Sequence, residues 1–312
     1  MSWLDRQSFL GADSEHRLAE LTVGIIGLGG GGSHVAQQLA HVGVGGFVLV
    51  DDDRIDDTNL NRLVGATLLD VRRQTRKVDI AARVIRAVNP KARIERHPHL
   101  WQEVMDALQR CDVIFGCVDN VRGKDELEAF CRRLLIPYID QGMDVHSLDG
   151  RHLVAGQVVL SLPGSPCLRC LGIVTDDALD DEGRNYGAAG GKPQVVWPNA
   201  VLASSAVGLF MQLVTPWYEA IPFGECLEYD GNAHTVVRSD RMKYLIPQGC
   251  IHRSQSDVGD PSFDVRRVLK PGPIDADEST ALAEVQASWL AKFWRRLIAL
   301  VSLKSGNGGH PE

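Results

Sequence analysis

A glycine-rich turn between two apolar runs is the most chemically informative part of the sequence. Residues 21–33 read LTVGIIGLGGGGS and contain the spacing Gly27-x-Gly29-x-x-Gly32. Glycines let backbone amides approach a phosphate, and a helix predicted to open at Ser33 favours negative charge at its N-terminus. A second strand, predicted at 47–50, ends in Asp51, and a carboxylate there can accept hydrogen bonds from a ribose. The order strand, glycine turn, helix, strand, acid indicates a nucleotide site.

The charged residues that follow favour one kind of nucleotide. Asp51 opens a polar run that includes Asp53, Asn59 and Arg62. This run lies beyond the end of a predicted parallel strand, where open α/β sheets bind their ligands. Four cations stand at the head of a helix predicted over 70–88: Arg72, Arg73, Arg76 and Lys77. Since cations bind non-bridging phosphate oxygens, this cluster favours a triphosphate over a pyrophosphate spread along the crevice.

Taken together, these motifs resemble those of one enzyme family. The segments GIIGLGGGGS and VLVDDDRIDDTNLNR, then Lys77 and the run DVIFGCVDN at 112–120, are similar to the ThiF/MoeB/HesA family of ubiquitin-activating-enzyme-like adenylyltransferases. The resemblance spans residues 3–253. It implies an α/β, Rossmann-like nucleotide-binding fold with a mixed, mostly parallel sheet. It also implies ATP and Mg²⁺ as cofactors and a homodimer as the assembly.

The resemblance assigns a role to individual residues. The phosphate loop would consist of Gly27, Gly29, Gly30 and Gly32. Asp51 would bind the ribose hydroxyls, with Asp53 and Asn59 beside it in the nucleotide pocket. The catalytic residues would be Arg62 and Lys77 on the β- and γ-phosphates, Asp119 on Mg²⁺, and Arg6 reaching in from the other subunit.

The Mg²⁺ role of Asp119 also has a chemical rationale. Mg²⁺ binds one or two carboxylates together with phosphate oxygens, and Asp119 follows a predicted strand at 112–118. The alternative interpretation is that Asp119 caps a helix predicted at 123–134.

Two positions depart from the family pattern. Leu63 stands where the family usually has a glutamine after the arginine, which replaces a polar pocket contact with an apolar one. The loop at 181–199 lacks the nucleophilic cysteine that many relatives carry. Without a thiol there, we expect no enzyme thioester in this loop. The chemistry should stop at an acyl-adenylate or pass the acyl group to an external nucleophile.

Cysteine spacing predicts a possible structural zinc site. Cys167 and Cys170 form a CxxC turn, and such a turn presents two thiolates to one tetrahedral ion. In the family a second CxxC completes the site, but here Cys250 is followed by His252 and then by Arg253 at the expected fourth position. His252 could replace the missing thiolate, with Cys226 as a more distant option. The alternative is a vestigial site that packing alone holds together.

Composition excludes several function classes. The chain has 312 residues, a net charge of −7 and a pI of about 5.8, so no basic field indicates nucleic-acid binding. No uninterrupted apolar run is long enough for a membrane span, and we expect no membrane contact. Seven cysteines, an odd number, argue against a closed disulfide framework and favour a cytoplasmic location.

The composition divides the chain into two parts. Residues 1–253 form the predicted adenylation domain, which includes a late antiparallel hairpin at 226–239 around Asp-Gly-Asn. Residues 254–312 form a C-terminal helical extension, with an amphipathic helix and a disordered tip, beyond the family resemblance.

The sequence therefore predicts an ATP-dependent adenylyltransferase that activates a carboxylate and releases pyrophosphate. The expected substrate and partner is a small ubiquitin-like or sulfur-carrier protein that ends in Gly-Gly. Adenylation of a peptide or tRNA-linked carboxylate is one alternative, and an ATP-binding pseudoenzyme or recruitment module is another. A dehydrogenase is disfavoured because the sequence has no apparent hydride-transfer pair. A dehydrogenase would also have no need of the Arg/Lys cluster.

Overall fold

The first strands are short apolar runs whose side chains alternate between two layers of helices. In β1 (Thr22–Ile26), Ile25 packs in one apolar core and Ile26 in the other. In β2 (Gly46–Val50), all five residues are buried. Because successive side chains of a strand point to opposite faces, burial of every residue requires helices on both sides of the sheet.

The computed structural model describes residues 3–184, 193–218, 223–253 and 258–259. Within these ranges the remaining strands are β3 (Arg93–His97), β4 (Val113–Gly116), β5 (Tyr138–Leu148), β6 (Arg151–Ser161), β7 (Glu225–Asp230) and β8 (Thr235–Arg238). They form one eight-stranded sheet with β1 and β2, in the order β3-β2-β1-β4-β5-β6-β7-β8. Strands β1 to β5 pair in parallel, and β5 to β8 pair antiparallel. The prediction of a mixed, mostly parallel sheet with a late hairpin is confirmed.

Helices pack against both faces of the sheet. Those of the described residues are α1 (Ser14–Glu20), α2 (Gly30–His41), α3 (Leu68–Arg72), α4 (Lys77–Val88), α5 (Met105–Leu108), α6 (Val121–Arg133), α7 (Asp176–Arg184), α8 (Val196–Val214) and α9 (Arg241–Leu245). Helices α2, α4 and α8 pack in the core that contains Ile25. Helices α5 and α6 pack in the core that contains Ile26.

Helix α8 has two properties that point in different directions. It is the one helix of the described residues that is long and apolar enough to cross a membrane by length and composition. It also lies against α2, β5 and β6, and Leu202, Ala206 and Phe210 are buried in the first core. Its apolar character therefore serves packing against the sheet.

Several boundaries differ from the sequence-based predictions. Helix α2 begins at Gly30 rather than Ser33, because the glycines after the loop already wind into its first turn. The helix predicted over 70–88 is two helices, α3 and α4, separated where Gln74 adopts a positive φ of 48°. Strand β5, which the sequence predicts over 137–140, continues to Leu148, and the sequence does not predict α7. The C-terminal extension at 254–312, apart from 258–259, lies outside the described residues.

Candidate functional site

The phosphate loop joins β1 to α2 and depends on glycine at two positions. Gly27 has a φ of +83°, in the left-handed region, and its amide donates to the carbonyl oxygen of Val50 at 2.9 Å. A Cβ on Gly32 would lie 1.8 Å from the carbonyl oxygen of Gly27, so a side chain there would break the loop. A Cβ on Gly29 would meet no atom of the described residues within 4 Å. The loop is therefore closely packed at Gly27 and Gly32, and it has open space at Gly29, where a phosphate could approach.

Asp51 fastens this loop to the end of β2. One carboxylate oxygen accepts from the amide of Leu28 at 2.6 Å, and the other accepts from the amide of Asp53 at 3.0 Å. Burial raises the pKa of Asp51, and the charge of Lys77 with the two amide hydrogen bonds opposes that rise. The carboxylate has further lone pairs for a ribose hydroxyl. Asp51 thus has a structural role in the loop in addition to its predicted ligand role.

Lys77, the first residue of α4, lies beside the two acids. Its ammonium group is 2.6 Å from a carboxylate oxygen of Asp53 and 4.0 Å from one of Asp51. Burial acts to lower the pKa of Lys77, but the two carboxylates outweigh it and raise that pKa. A charged, largely buried ammonium group is therefore held next to the phosphate loop. An arriving phosphate would have to replace Asp53 as its partner.

Asn59 and Arg62 lie on the chain segment that follows β2. The side chain of Asn59 is buried and accepts from the amide of Asp56, within a capping box around a short 3₁₀ helix, Asp57–Asn59. Arg62 donates to the carbonyl oxygen of Thr58 at 2.6 Å and to Asn61. The guanidinium group is therefore folded back on its own segment.

Leu63 is not a pocket residue in the structure. It is buried in a small apolar cluster with Ile55 and Ile80. The apolar side chain is thus accommodated by packing beneath the segment that carries Arg62.

Asp119 lies where β4 passes into α6, next to the phosphate loop. The carbonyl oxygen of Cys117 would lie 2.6 Å from a Cβ on Gly27, so the two turns are in direct contact. Asn120, and not Asp119, caps α6 by accepting from the amide of Gly123. The carboxylate of Asp119 is exposed at the surface beside the loop. A single exposed carboxylate next to a phosphate cradle is the donor set that suits Mg²⁺.

Arg6 lies apart from these residues in the single chain. It is exposed on the 3₁₀ helix Asp5–Leu10, and it makes no hydrogen bond or ion pair with the site residues that the structure describes. The glycine loop, Asp51, Asp53 and Lys77 are thus brought together, Asp119 lies beside them, and Arg6 does not reach them.

Two polar residues of the site were missed by sequence reasoning. Gln141, at the end of the buried part of β5, donates to the sulfur of Cys117 at 3.0 Å, and its amide nitrogen would lie 2.3 Å from a Cβ on Gly31. Asn199, in the first turn of α8, would lie 2.6 Å from a Cβ on Gly30. Both side chains therefore support the phosphate loop from below. Their only sequence signal is a polar residue within or after an apolar run.

The four predicted zinc ligands converge on one point. Ligand atoms of Cys167, Cys170, Cys250 and His252 all lie within 4.8 Å of one another. The sulfur of Cys170 is 3.6 Å from that of Cys167, 3.9 Å from that of Cys250 and 3.3 Å from Nδ1 of His252. Tetrahedral zinc with ordinary bond lengths separates two sulfurs by about 3.8 Å and a sulfur from a nitrogen by about 3.6 Å. The donor set and its spacing fit a closed structural zinc site.

The identity of the fourth ligand follows from the neighbouring contacts. Arg253, at the position where a cysteine was expected, donates to Asp125 at 2.6 Å and lies 3.4 Å from the buried Glu128. His252 instead lies where a fourth ligand would stand, and the group contains no atom of Cys226. The neighbouring Cys167 thiol lowers the pKa of Cys250, which favours a thiolate at Cys250.

We predict that the purified protein contains about one zinc ion per chain. Cys250→Ser removes one of four ligands and should release the metal, because a thiolate is lost from a closed site. Elemental analysis of the native protein and both variants measures this, with Cys226→Ala as the matched control. If the native protein had the same melting temperature with and without its metal, packing alone would hold the cluster.

The sheet order and the glycine loop define a class of protein. They describe a Rossmann-like fold, the class in which a nucleotide site lies at the carboxyl edge of the parallel strands. Residues 4–248 match the model of the ThiF family, so the chain belongs to the ThiF family. Named relatives in this family are adenylyltransferases and activating enzymes, and the chain is an enzyme of this adenylyltransferase class.

Individual relatives support this assignment to different extents. The sulfur carrier protein ThiS adenylyltransferase of Escherichia coli is 32% identical over 226 residues, which is 71% of this chain and 82% of that protein. The ubiquitin-like modifier-activating enzyme 5 of Drosophila persimilis is 27% identical over 169 residues, 49% of this chain and 42% of that protein. The chain thus spans less than half the length of that second relative. The crystal structure of E. coli MccB with ATP has a TM-score of 0.62 at 19% identity, over 78% of this chain and 72% of that one, which shows the same fold.

Proposed function

We propose that this enzyme uses ATP to adenylate the C-terminal carboxylate of a small protein that ends in Gly-Gly. The observation that carries the proposal is one constellation at the carboxyl edge of the sheet. The open phosphate loop, the buried Lys77 and the exposed Asp119 lie on three adjacent connections, after β1, β2 and β4. The E. coli relative named as an adenylyltransferase of the sulfur carrier ThiS supports this choice of substrate.

The reaction needs positive charge and positioning more than proton transfer. A carboxylate oxygen of the substrate attacks the α-phosphorus of ATP, the bond to the bridging oxygen breaks, and pyrophosphate leaves with the electron pair. Two anions must meet, so the groups that matter are cations and amide donors. The amides of the glycine loop and the ammonium group of Lys77 supply them in this chain, with Arg62 and the partner's Arg6 on the outer phosphates.

Asp119 would hold Mg²⁺, which when bound neutralises phosphate charge and orients the phosphate oxygens. The residue itself contributes a carboxylate at the surface of a turn that contacts Gly27 through Cys117. In this way the metal ligand and the phosphate loop keep a fixed relative position.

The proposed assembly is a homodimer in which Arg6 of one subunit completes the site of the other. Two observations support it. Arg6 reaches none of the described site residues of its own chain, and Phe9 of the same 3₁₀ helix belongs to an exposed aromatic cluster. Phe9 is 69% exposed and stacks edge-to-face on Trp217 at 6.2 Å, and Trp217 in turn contacts Tyr218. Exposed aromatic clusters of this kind mark protein interfaces.

The decisive experiment is ATP–pyrophosphate exchange with Mg²⁺, run with Gly-Gly-ending carrier proteins from the same genome. We expect exchange with one carrier and its loss when the two terminal glycines are removed, since the reacting carboxylate then no longer reaches the α-phosphate. Measurable ATP binding without exchange for any carrier would contradict the proposed substrate. Exchange supported by a short peptide instead would identify a peptide carboxylate as the substrate, with an acyl-adenylate formed in the same way.

A further inference from the structure

Glu182, in the last turn of α7, contacts the N-terminus of α6. Its two carboxylate oxygens accept from the amides of Val121 and Arg122, both at 2.9 Å. The first amides of a helix have no partner within the helix. Asn120 satisfies the third of them, at Gly123, so one residue from a distant part of the chain satisfies the first two. This contact lies two residues from Asp119.

Helix α7 is fixed to α6 at its other end as well. Arg169, which lies between the two cysteines of the CxxC turn, donates to Asp125 of α6 at 2.9 Å. It also donates to Asp176, the first residue of α7, at 2.8 Å. Leu179, between these two contacts, packs against the core beneath α6. Glu182 is therefore held in place by its own helix and is not a freely moving surface side chain.

The contact also changes the charge next to Asp119. The N-terminus of a helix behaves as roughly half a positive charge, which repels a cation bound one or two residues away. A carboxylate bound directly to the first amides cancels that charge. Asp119 then lies two residues before a helix end whose positive charge is neutralised, which favours a divalent cation there.

We propose that Glu182 is a positioning residue for Asp119, which orients the turn at 119–122 and raises the affinity of that turn for Mg²⁺. The proposal rests on the proposed function, because it assigns Mg²⁺ to Asp119. It gives α7 a task that neither the nucleotide loop nor the cysteine cluster performs. It also connects the CxxC turn to the candidate catalytic carboxylate through Arg169 and α7.

The test compares Glu182→Ala and Glu182→Gln with Asp180→Ala. Asp180 lies on the same helix, is exposed, and makes no hydrogen bond or ion pair in the part of the chain that the structure describes. All three variants lose one negative charge from α7, but only the Glu182 variants lose it at the first amides of α6. Glutamine keeps one acceptor oxygen, so it separates the loss of charge from the loss of the hydrogen bonds.

Two measurements are needed, and the first requires no Mg²⁺. Amide hydrogen exchange at Val121 and Arg122, measured without Mg²⁺ and without removal of any zinc, should be faster in Glu182→Ala and unchanged in Asp180→Ala. The Mg²⁺ concentration that gives half-maximal ATP binding should rise about five-fold in Glu182→Ala, and by less in Glu182→Gln. The melting temperature of the glutamine variant shows that the fold is kept.

The outcomes separate the inference from the proposed function. Native protein that binds ATP with Mg²⁺, together with an Mg²⁺ requirement in Glu182→Ala equal to that of Asp180→Ala, would overturn the inference alone. Native protein that binds ATP equally well with and without Mg²⁺ would overturn the metal assignment of Asp119 and the inference with it.

Discussion

Replacement of Asp119 by alanine should lower ATP–pyrophosphate exchange by at least about 100-fold. The carboxylate is exposed on a turn that contacts the phosphate loop, and its proposed task is to hold the metal that neutralises charge at the α-phosphorus. The cost of removing one electrostatic group from a transition state is about 3 kcal/mol or more, which corresponds to this loss of rate. Exchange rates at saturating ATP and carrier protein measure it.

Folding should be unaffected by this substitution, because the capping of α6 belongs to Asn120 and Glu182. Asp119→Asn should lose nearly as much activity as the alanine variant, since a neutral amide keeps the shape and loses the charge. Asp177→Asn, at an exposed position of α7, is the control for a general change in charge. Unchanged exchange in Asp119→Ala, at any Mg²⁺ concentration, would remove Asp119 from the reaction.

The parts of the fold that were predicted correctly are those in which local pattern and tertiary packing agree. The sequence predicts a helix over 196–214, the observed bounds of α8, because a long run of apolar and small residues suits a core helix. The hairpin of β7 and β8 was predicted from Asp-Gly-Asn between two strand-like runs. The glycine loop and the CxxC turn were predicted because closely spaced glycines and closely spaced cysteines occur in few other kinds of local structure.

The parts that were missed depend on contacts between distant residues. Helix α7 reads DDALDDEGR, an acidic segment of low helix-forming character, and its ion pairs with Arg169 and its contact with α6 hold it. The outer half of β5 has no regular alternation and is stabilised by pairing with β6 along its full length. Gln141 and Asn199 support the phosphate loop from elements that come more than 100 residues later. A single sequence carries no signal for such pairs.

The proposed homodimer would account for the position of Arg6, which the family resemblance assigns to the site but which lies apart from it in the single chain. A residue that acts on a neighbouring subunit leaves no contact within its own chain. What the structure adds is its surroundings, an exposed 3₁₀ helix with Phe9 and Trp217 beside it. These surroundings are consistent with an interface and make a shared site testable by subunit mixing.

Two inactive variants should regain activity when their subunits are mixed. Arg6→Ala and Arg62→Ala should each abolish exchange as homodimers, because each proposed site needs Arg62 of one subunit and Arg6 of the other. A mixed dimer keeps one intact site, in which the Arg6→Ala subunit supplies Arg62 and the Arg62→Ala subunit supplies Arg6. Random re-association makes about half of the dimers mixed, so activity should return to about one quarter of the native value.

The matched control for this experiment is a mixture of Arg62→Ala with Lys77→Ala. Both residues belong to the same side of the proposed site, on the segment after β2 and at the start of α4, so neither site of a mixed dimer is complete. Rescue in the first mixture and its absence in the second would place Arg6 across the interface. Rescue in neither mixture, with re-association verified by differently sized tags, would mean that each subunit works alone. The loss of activity in Arg6→Ala would then arise within its own subunit, and the aromatic cluster would have to serve some other contact.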